Sequence, residues 1–285
     1  MNNLSSLQAQ QIRQIIRQAG KQAKRMATEP FEVSQKGPND FVTSVDRALD
    51  QQLAAQFTTW FPQDGVITEE NAQSTIAFHQ PHHRLWLIDP LDGTDDYIQG
   101  HSGYAVMVGL LQDYQPIAGW IYNPAADQLY YGGQDWGLFQ AVGEVEPQAL
   151  QPIEPIGPSK DFCPILIGYK DAQTYGQVIA QVIPEAQFYS LGSFGLKVME
   201  VICGRVGLYL YLNGRVKLWD TTGPLALAKV AGLVCCDLEG QPLGFTPDAV
   251  DLRTLAHHQS ILIGWPRYIE LLRPRLREAI ALVTA

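Results

Sequence analysis

Positive charge is scarce in this sequence. Against 29 Asp and Glu stand 20 Lys and Arg, a formal net charge of −9, and no basic run offers a footprint for a phosphate backbone. Nucleic acids and anionic membranes are therefore poor partners, and an anionic small molecule would need cations to offset the field. Long apolar runs are also missing. No stretch approaches the ~20 residues that span a bilayer, and the polar N-terminal region shows no signal-peptide core, so a cytoplasmic protein is expected. Cysteine is sparse and badly spaced for chemistry. Cys163, Cys203, Cys235 and Cys236 show no metal-binding spacing, and a vicinal pair is a poor disulfide framework, which points to reduced, buried thiols. No internal repeat is visible.

What is present suffices for a substantial core: 285 residues, 46% of them hydrophobic, make one large domain or two smaller ones. Apolar residues from Leu7 to Met26 recur on one helical face. After a turn-rich Lys36–Asp40 and an extended Phe41-Val42-Thr43, a second helix is predicted from about Val45 to Trp60 with Ser44 as N-cap. Val66-Ile67-Thr68 reads as a short strand ending in Glu69-Glu70, and Asn71 to His83 as an exposed loop. Strand-like runs then follow at Tyr104–Leu111, Ile117–Asn123 and Gln128–Tyr131, with Trp136–Gln140 as a further one, and their tight connections imply an antiparallel sheet. Four prolines between Glu144 and Lys160 mark an internal boundary. Residues 1–150 are thus expected to form a helix and antiparallel-sheet half. Residues 151–285 alternate strands at Ile165–Tyr169, Phe188–Leu191, Gly207–Leu212 and Ser260–Gly264 with helices at about Tyr175–Ile183, Phe194–Cys203, Leu225–Ala231 and Tyr268–Val283, a smaller α/β half that includes Asp220.

The chemistry concentrates in Leu85–Thr94, which reads Leu-Trp-Leu-Ile-Asp-Pro-Leu-Asp-Gly-Thr. An apolar strand stops at Asp89, Pro90 and Leu91 turn the chain, and Asp92-Gly93-Thr94 open a short helix, leaving two carboxylates at the exposed end of a buried strand. These are hard oxygen donors of the kind Mg²⁺ takes. Gly93 permits close approach, and the helix N-terminus is suited to a phosphate. The plainer reading, a strand-to-turn junction in which Asp89 caps the next helix, stays open on these residues alone. So do plain roles for Asp46, an acid complementing a helix dipole in its first turn, and for Asp220, in the N-cap region of the helix after Leu218-Trp219.

Three acid-bearing segments, Thr68-Glu69-Glu70, Asp89-Pro-Leu-Asp-Gly-Thr94 and Trp219-Asp220, match one family in order and type. The chain resembles the inositol monophosphatase superfamily, which includes the 3′(2′),5′-bisphosphate nucleotidases and is related to the fructose-1,6-bisphosphatases. That resemblance implies an α/β fold of alternating helix and sheet layers, an α-β-α-β-α sandwich. It also implies a phosphomonoesterase using two to three Mg²⁺ per site. Glu69, Asp89, Asp92 and Asp220 would be side-chain ligands, with the Leu91 carbonyl as a backbone ligand. Asp46 and Thr94 would orient the attacking water, with Glu69 also serving catalysis, and the Gly93 and Thr94 N–H groups would hold the phosphate. Four ligating carboxylates against two or three divalent ions leave a site able to accept an anion. Lithium inhibition and a homodimer are further expectations of the resemblance.

The substrate is expected to be a small phosphorylated metabolite. Lys36 ahead of Asp46, Gly192-Ser193 followed by Lys197, and Gly240-Gln-Pro-Leu-Gly-Phe-Thr-Pro247 resemble the bacterial nucleotidases, which favours 3′-phosphoadenosine 5′-phosphate. A snorkelling surface role for Lys197 is the plain alternative. Asp95-Asp96, where nucleotidases often carry Lys-Glu, runs the other way, and Asn213, near the family's acidic sugar-binding position, can still hydrogen-bond a hydroxyl. Inositol 1-phosphate and fructose 1,6-bisphosphate are therefore the alternatives. A dehalogenase-type aspartyl-phosphate route fits poorly, because its two acids lie two apart rather than three as Asp89 and Asp92 do. A scaffold without activity is the remote alternative.

Overall fold

The structure is a computed structural model that describes residues 4–37 and 40–284. It contains helices and mixed sheets in layers. Pro38 and Asn39 of the expected Lys36–Asp40 turn lie outside the described residues. Contacts divide the chain into two compact units, the first comprising Met1–Leu150, Gly192–Leu196 and Leu218–Leu227, the second Gln151–Leu191, Lys197–Lys217 and Ala228–Ala285.

The first unit opens with α1 (Ser6–Met26), whose N-cap Ser5 forms a capping box with Gln8. A hairpin of β1 (Val33–Gly37) and β2 (Asp40–Thr43) leads into α2 (Ser44–Trp60). Thr43, not Ser44, caps α2: its hydroxyl accepts the Val45 and Asp46 N–H groups, while the Asp46 side chain accepts the Thr43 N–H. The helix can start one residue early because the carboxylate three positions on completes the box. After β3 (Gly65–Thr68), the stretch expected as a loop forms a 3₁₀ helix over Ala72–His79, tied by the Asn71 side chain to Gln73 N–H and by the Ser74 hydroxyl to the Asn71 carbonyl. These short polar links operate over two and three residues, so apolar periodicity carries no trace of them.

The remaining strands of this unit are β4 (Arg84–Asp92), β5 (Ala105–Gln112), β6 (Gln115–Asn123), β7 (Gln128–Gly133), β8 (Gly137–Val142) and β9 (Gln148–Ala149), with α3 (Thr94–Ile98) between β4 and β5. They form a seven-stranded sheet in simple order from β3 to β9, antiparallel except for the parallel pair β3 and β4. One face carries Val106, Val108, Trp120 and Tyr122, buried against Ile12 and Ile16 of α1 and Leu49, Leu53 and Phe57 of α2. Phe61 stacks on Trp86 with ring centroids 4.5 Å apart. Each such fully buried side chain contributes about 1.5–3 kcal/mol of burial free energy, which fixes α2 and the acids it carries.

The second unit holds β10 (Pro164–Ile167), α4 (Tyr169–Val182), β11 (Gln187–Tyr189), most of α5 (Phe194–Ile202), β12 (Leu208–Tyr211), the end of α6 (Leu218–Val230), β13 (Val234–Cys236), β14 (Ile261–Gly264) and α7 (Pro266–Thr284). Its five strands run in the order β11-β10-β12-β14-β13, parallel among the first three and antiparallel beyond. Helix α4 begins six residues before the predicted start, and β13 was not anticipated. Val234-Cys235-Cys236 is too short for any period to register.

Asp220 does not group with the C-terminal half, as the order of the chain suggests, but with the first unit. The other face of β5 and β6 shows why. Gly109 and Gly119 are cross-strand partners there, and a Cβ on either would collide with the backbone of Gly223. The bare patch lets the first turns of α6 lie directly on the sheet. Gly119→Ala should therefore cost about 1–3 kcal/mol by overpacking, read as a lower urea midpoint at unchanged slope. An unaltered midpoint would contradict this packing.

Candidate metal centre

Strand pairing brings the first two acids together. Thr68 of β3 lies opposite Ile88 of β4, and the Glu69 N–H extends the ladder to the Ile88 carbonyl at 3.1 Å. The next residues, Glu69 just past the end of β3 and Asp89 within β4, are therefore neighbours at the same edge of the pair. Beyond Asp89 the chain does not turn at Pro90 as expected. It stays in the strand, and the ladder to β5 shifts between Asp89 and Asp92, so Pro90 and Leu91 form a bulge. Bulges re-aim side chains, and this one is held by a 2.9 Å bond from the Leu91 N–H to Asp89 Oδ1. Asp220, the third residue of α6, is set down beside them by the glycine patch. One carboxylate oxygen each from Glu69, Asp89 and Asp220 lies within 4.8 Å of the others.

Asp92 is buried and takes a different contact: its Oδ2 accepts the Ser193 hydroxyl and, at 3.0 Å, the Gly195 N–H. Its charge still acts on Asp89. Burial, then the charges of Glu69, Asp92 and Asp220, hold the Asp89 carboxyl well above the usual carboxylate range, opposed by the Leu91 N–H. Burial and the Glu69 charge push Glu70 up to about 7, against the pull of Lys36.

Asp46 and Thr94 are hydrogen-bonded. Thr94 Oγ1 lies 2.9 Å from Asp46 Oδ1 and 3.1 Å from the Leu91 carbonyl. Asp46 Oδ2 accepts the Thr43 N–H at 2.8 Å and the Thr43 hydroxyl. Burial raises the Asp46 carboxyl above its ordinary value, with these hydrogen bonds opposing. Gly93, between Asp92 and Thr94, has φ 94°, a conformation that L side chains rarely adopt, and a Cβ there would sit 2.7 Å from the Gly103 carbonyl oxygen.

Four further residues named from sequence make contacts within the protein. Lys36 Nζ lies 2.8 Å from both Glu69 Oε1 and Glu70 Oε1, so it serves as their counter-ion, and the two acids raise its pKa against desolvation. Ser193 is fully buried against Asp92. Lys197 is buried, not snorkelling, with Nζ 5.2 Å from the Tyr209 ring centroid. Asn213 Oδ1 accepts the Arg215 N–H at 3.2 Å, closing its own turn. One further acid escaped sequence reading. Asp50, buried on α2, accepts the Glu70 N–H at 3.3 Å and so holds the segment that carries Glu69. Its position one helical turn after Asp46, beside the apolar stripe Val45-Leu49-Leu53, was the available signal.

The sequence model of the inositol monophosphatase family matches residues 3–279. The chain belongs to the inositol monophosphatase family. Members of this family are metal-dependent phosphatases that hydrolyse phosphomonoesters. The chain is 30% identical over 237 residues to a 3′(2′),5′-bisphosphate nucleotidase of Aggregatibacter actinomycetemcomitans, covering 83% of this chain and 86% of that one. It is 28% identical over 249 residues to a fructose-1,6-bisphosphatase/inositol-1-monophosphatase of Aquifex aeolicus, covering 84% and 87%. An inositol monophosphatase of Thermotoga maritima has the same fold, with a TM-score of 0.77 at 20% identity over 95% of this chain and 96% of that one. No helix among the described residues is long and apolar enough to cross a membrane.

The donor set fits magnesium. All three converging side chains offer hard carboxylate oxygens, and the buried Asp89 faces more negative than positive charge. The sign of the pH dependence follows. An acid whose folded pKa is raised destabilises the fold as pH climbs from the unfolded to the folded value; for Glu70 that window runs from 4.5 to about 7. Once ionised, Glu70 adds negative charge beside Glu69, so Mg²⁺ should raise the melting temperature more at a pH one unit above the Glu70 value than one unit below it. Equal shifts at both would contradict the charge balance described.

Proposed function

We propose that this chain is a Mg²⁺-dependent phosphomonoesterase whose preferred substrate is a 3′,5′-bisphosphorylated nucleoside of the 3′-phosphoadenosine 5′-phosphate type. The observation that carries the reaction class to these residues is the convergence of Glu69, Asp89 and Asp220 beside the Asp46–Thr94 pair. Glu69, Asp89, Asp92 and Asp220, with the Leu91 carbonyl, would hold two to three Mg²⁺. The chemistry these ions supply when bound is positive charge, which draws in the phosphate, makes water more acidic and neutralises the leaving alkoxide.

The protein's own groups do the rest. Thr94 Oγ1 donates to Asp46 Oδ1, which leaves its lone pairs to orient a water molecule and accept its proton. Asp46 is the final acceptor, and Thr43 fixes its orientation through Oδ2. N–H groups of Gly93 and Thr94 receive the phosphoryl oxygens. Water attacks phosphorus directly as its proton passes through Thr94 to Asp46, the P–O ester bond breaks, the leaving alkoxide takes a proton from solvent, and no covalent aspartyl intermediate forms. Asp50 and Lys36 hold Glu69 in place by the backbone and by charge respectively.

The nucleotide reading is supported by the 30% identity to the Aggregatibacter nucleotidase and by further nucleotidases of Escherichia coli and Haemophilus influenzae at 27 to 28%. The Aquifex relative at 28% supports an inositol or fructose phosphate as the second reading. Lithium inhibition, a homodimer and a cytoplasmic setting complete the proposal; a staphylococcal inositol monophosphatase is known in a lithium-soaked inhibitory complex.

Substrate choice is read from kcat/KM for 3′-phosphoadenosine 5′-phosphate, inositol 1-phosphate and fructose 1,6-bisphosphate in Mg²⁺. The nucleotide should be preferred, and a preference for either other ester reverses the choice. Thr94→Ala should lower kcat by about 10²–10⁴-fold, the usual worth of positioned proton transfer. Asp220→Asn should abolish turnover with circular dichroism unchanged. A wild type inert across a broad panel of phosphate esters would favour the scaffold role.

A further inference from the structure

The segment Gly192–Leu196 lies with the first unit although the residues on either side of it do not. Three anchors hold it there. At its start, Asp96 Oδ2 accepts the Gly192 N–H at 3.1 Å, and the Ser193 N–H donates to the Gly103 carbonyl at 2.7 Å. Further on, the Ser193 hydroxyl and the Gly195 N–H both donate to Asp92 Oδ2. The Asp96 carboxylate is wedged between two glycines. A Cβ at Gly192 would sit 2.6 Å from Asp96 Cγ, and one at Gly103 would collide with Asp96 Oδ2. Only bare backbone on both sides admits this carboxylate.

We infer that Asp96 is a positioning residue for Asp92: by holding Gly192 it sets the strap whose Ser193 and Gly195 donors orient the Asp92 carboxylate for a divalent cation. The inference rests on the proposed function in taking Asp92 as a ligand. With two donors on Oδ2, rotation of the carboxylate about its Cβ–Cγ bond is restrained, and the direction of the other oxygen follows from where the strap lies. An acid in the first turn of α3 would otherwise merely complement the helix dipole. Such a role depends on charge, whereas holding the Gly192 N–H depends on an acceptor oxygen, which an amide also has.

The test is calorimetric titration of Mg²⁺ into the full chain, without substrate, for wild type, Asp96→Ala, Asp96→Asn and Ser193→Ala. Asp96→Ala and Ser193→Ala should raise the dissociation constant by about ten- to a hundredfold, the usual cost of losing an outer-shell partner, and Asp96→Asn should stay within about threefold of wild type. Should Asp96→Ala fail to fold, Ser193→Ala and Asp96→Asn carry the test. Wild-type affinity in the alanine variants, or an Asp96→Asn variant as weak as Asp96→Ala, overturns the inference alone. A wild type that takes up no divalent ion overturns the proposed function and this inference with it.

Discussion

Carboxylates repel one another, and the first unit is built to hold several of them within reach of a single point. Two like charges about 4 Å apart repel by roughly 4 kcal/mol at an effective dielectric of ~20. The oxygens of Glu69, Asp89 and Asp220 lie within 4.8 Å of one another, with Asp89 buried. Nothing in the local preferences of these residues favours such a meeting. It is imposed by the parallel pairing of β3 with β4, by the bulge after Asp89 and by the seating of α6 on bare sheet. The raised carboxyl of Asp89 and the capture of Lys36 by Glu69 and Glu70 are the electrostatic consequences. A site so short of positive charge has one natural complement, a small hard cation, and a phosphate ester is then the anion that the loaded site can receive.

Glycine is the means by which distant segments are brought to this edge. Gly109, Gly119 and Gly223 let a helix backbone touch a sheet, and Gly93, Gly103 and Gly192 let a strap close beside the Asp92–Thr94 turn. In both places what is removed is side-chain bulk, and what is gained is a position for a carboxylate: Asp220 in one case, Asp92 in the other. The helix on the opposite face works differently. There α2 is fixed by large apolar and aromatic contacts, and its acids, Asp46 and Asp50, are held at its edge by short polar bonds from Thr43, Thr94 and Glu70.

Much of this was legible in the residues. The strands from Tyr104 to Gln140 announced themselves because apolar runs broken by tight turns leave few other structures, and α1 through the one-sided placing of Ile12, Ile15 and Ile16. The proposed ligand set, by contrast, is legible only through family resemblance, since Glu69, Asp89 and Asp220 are far apart in sequence and each has a bland local role. What the sequence hid depends on tertiary partners. Lys36 is drawn to two acids, and Ser193 and Lys197 are buried in contacts of their own. Chain order puts Asp220 with the C-terminal half, because it says nothing of a glycine patch more than a hundred residues upstream. At Pro90 the residues alone do not separate a bulge from a turn, because proline and glycine signal both.

The convergence of these acids implies that they share a divalent cation. Anomalous diffraction at the manganese absorption edge, from crystals of the wild-type chain soaked in Mn²⁺, tests this without any substrate. Anomalous density should be bounded by the carboxylates of Glu69, Asp89 and Asp220. Density confined to other sites, or a blank map at this edge of the sheet, would contradict it.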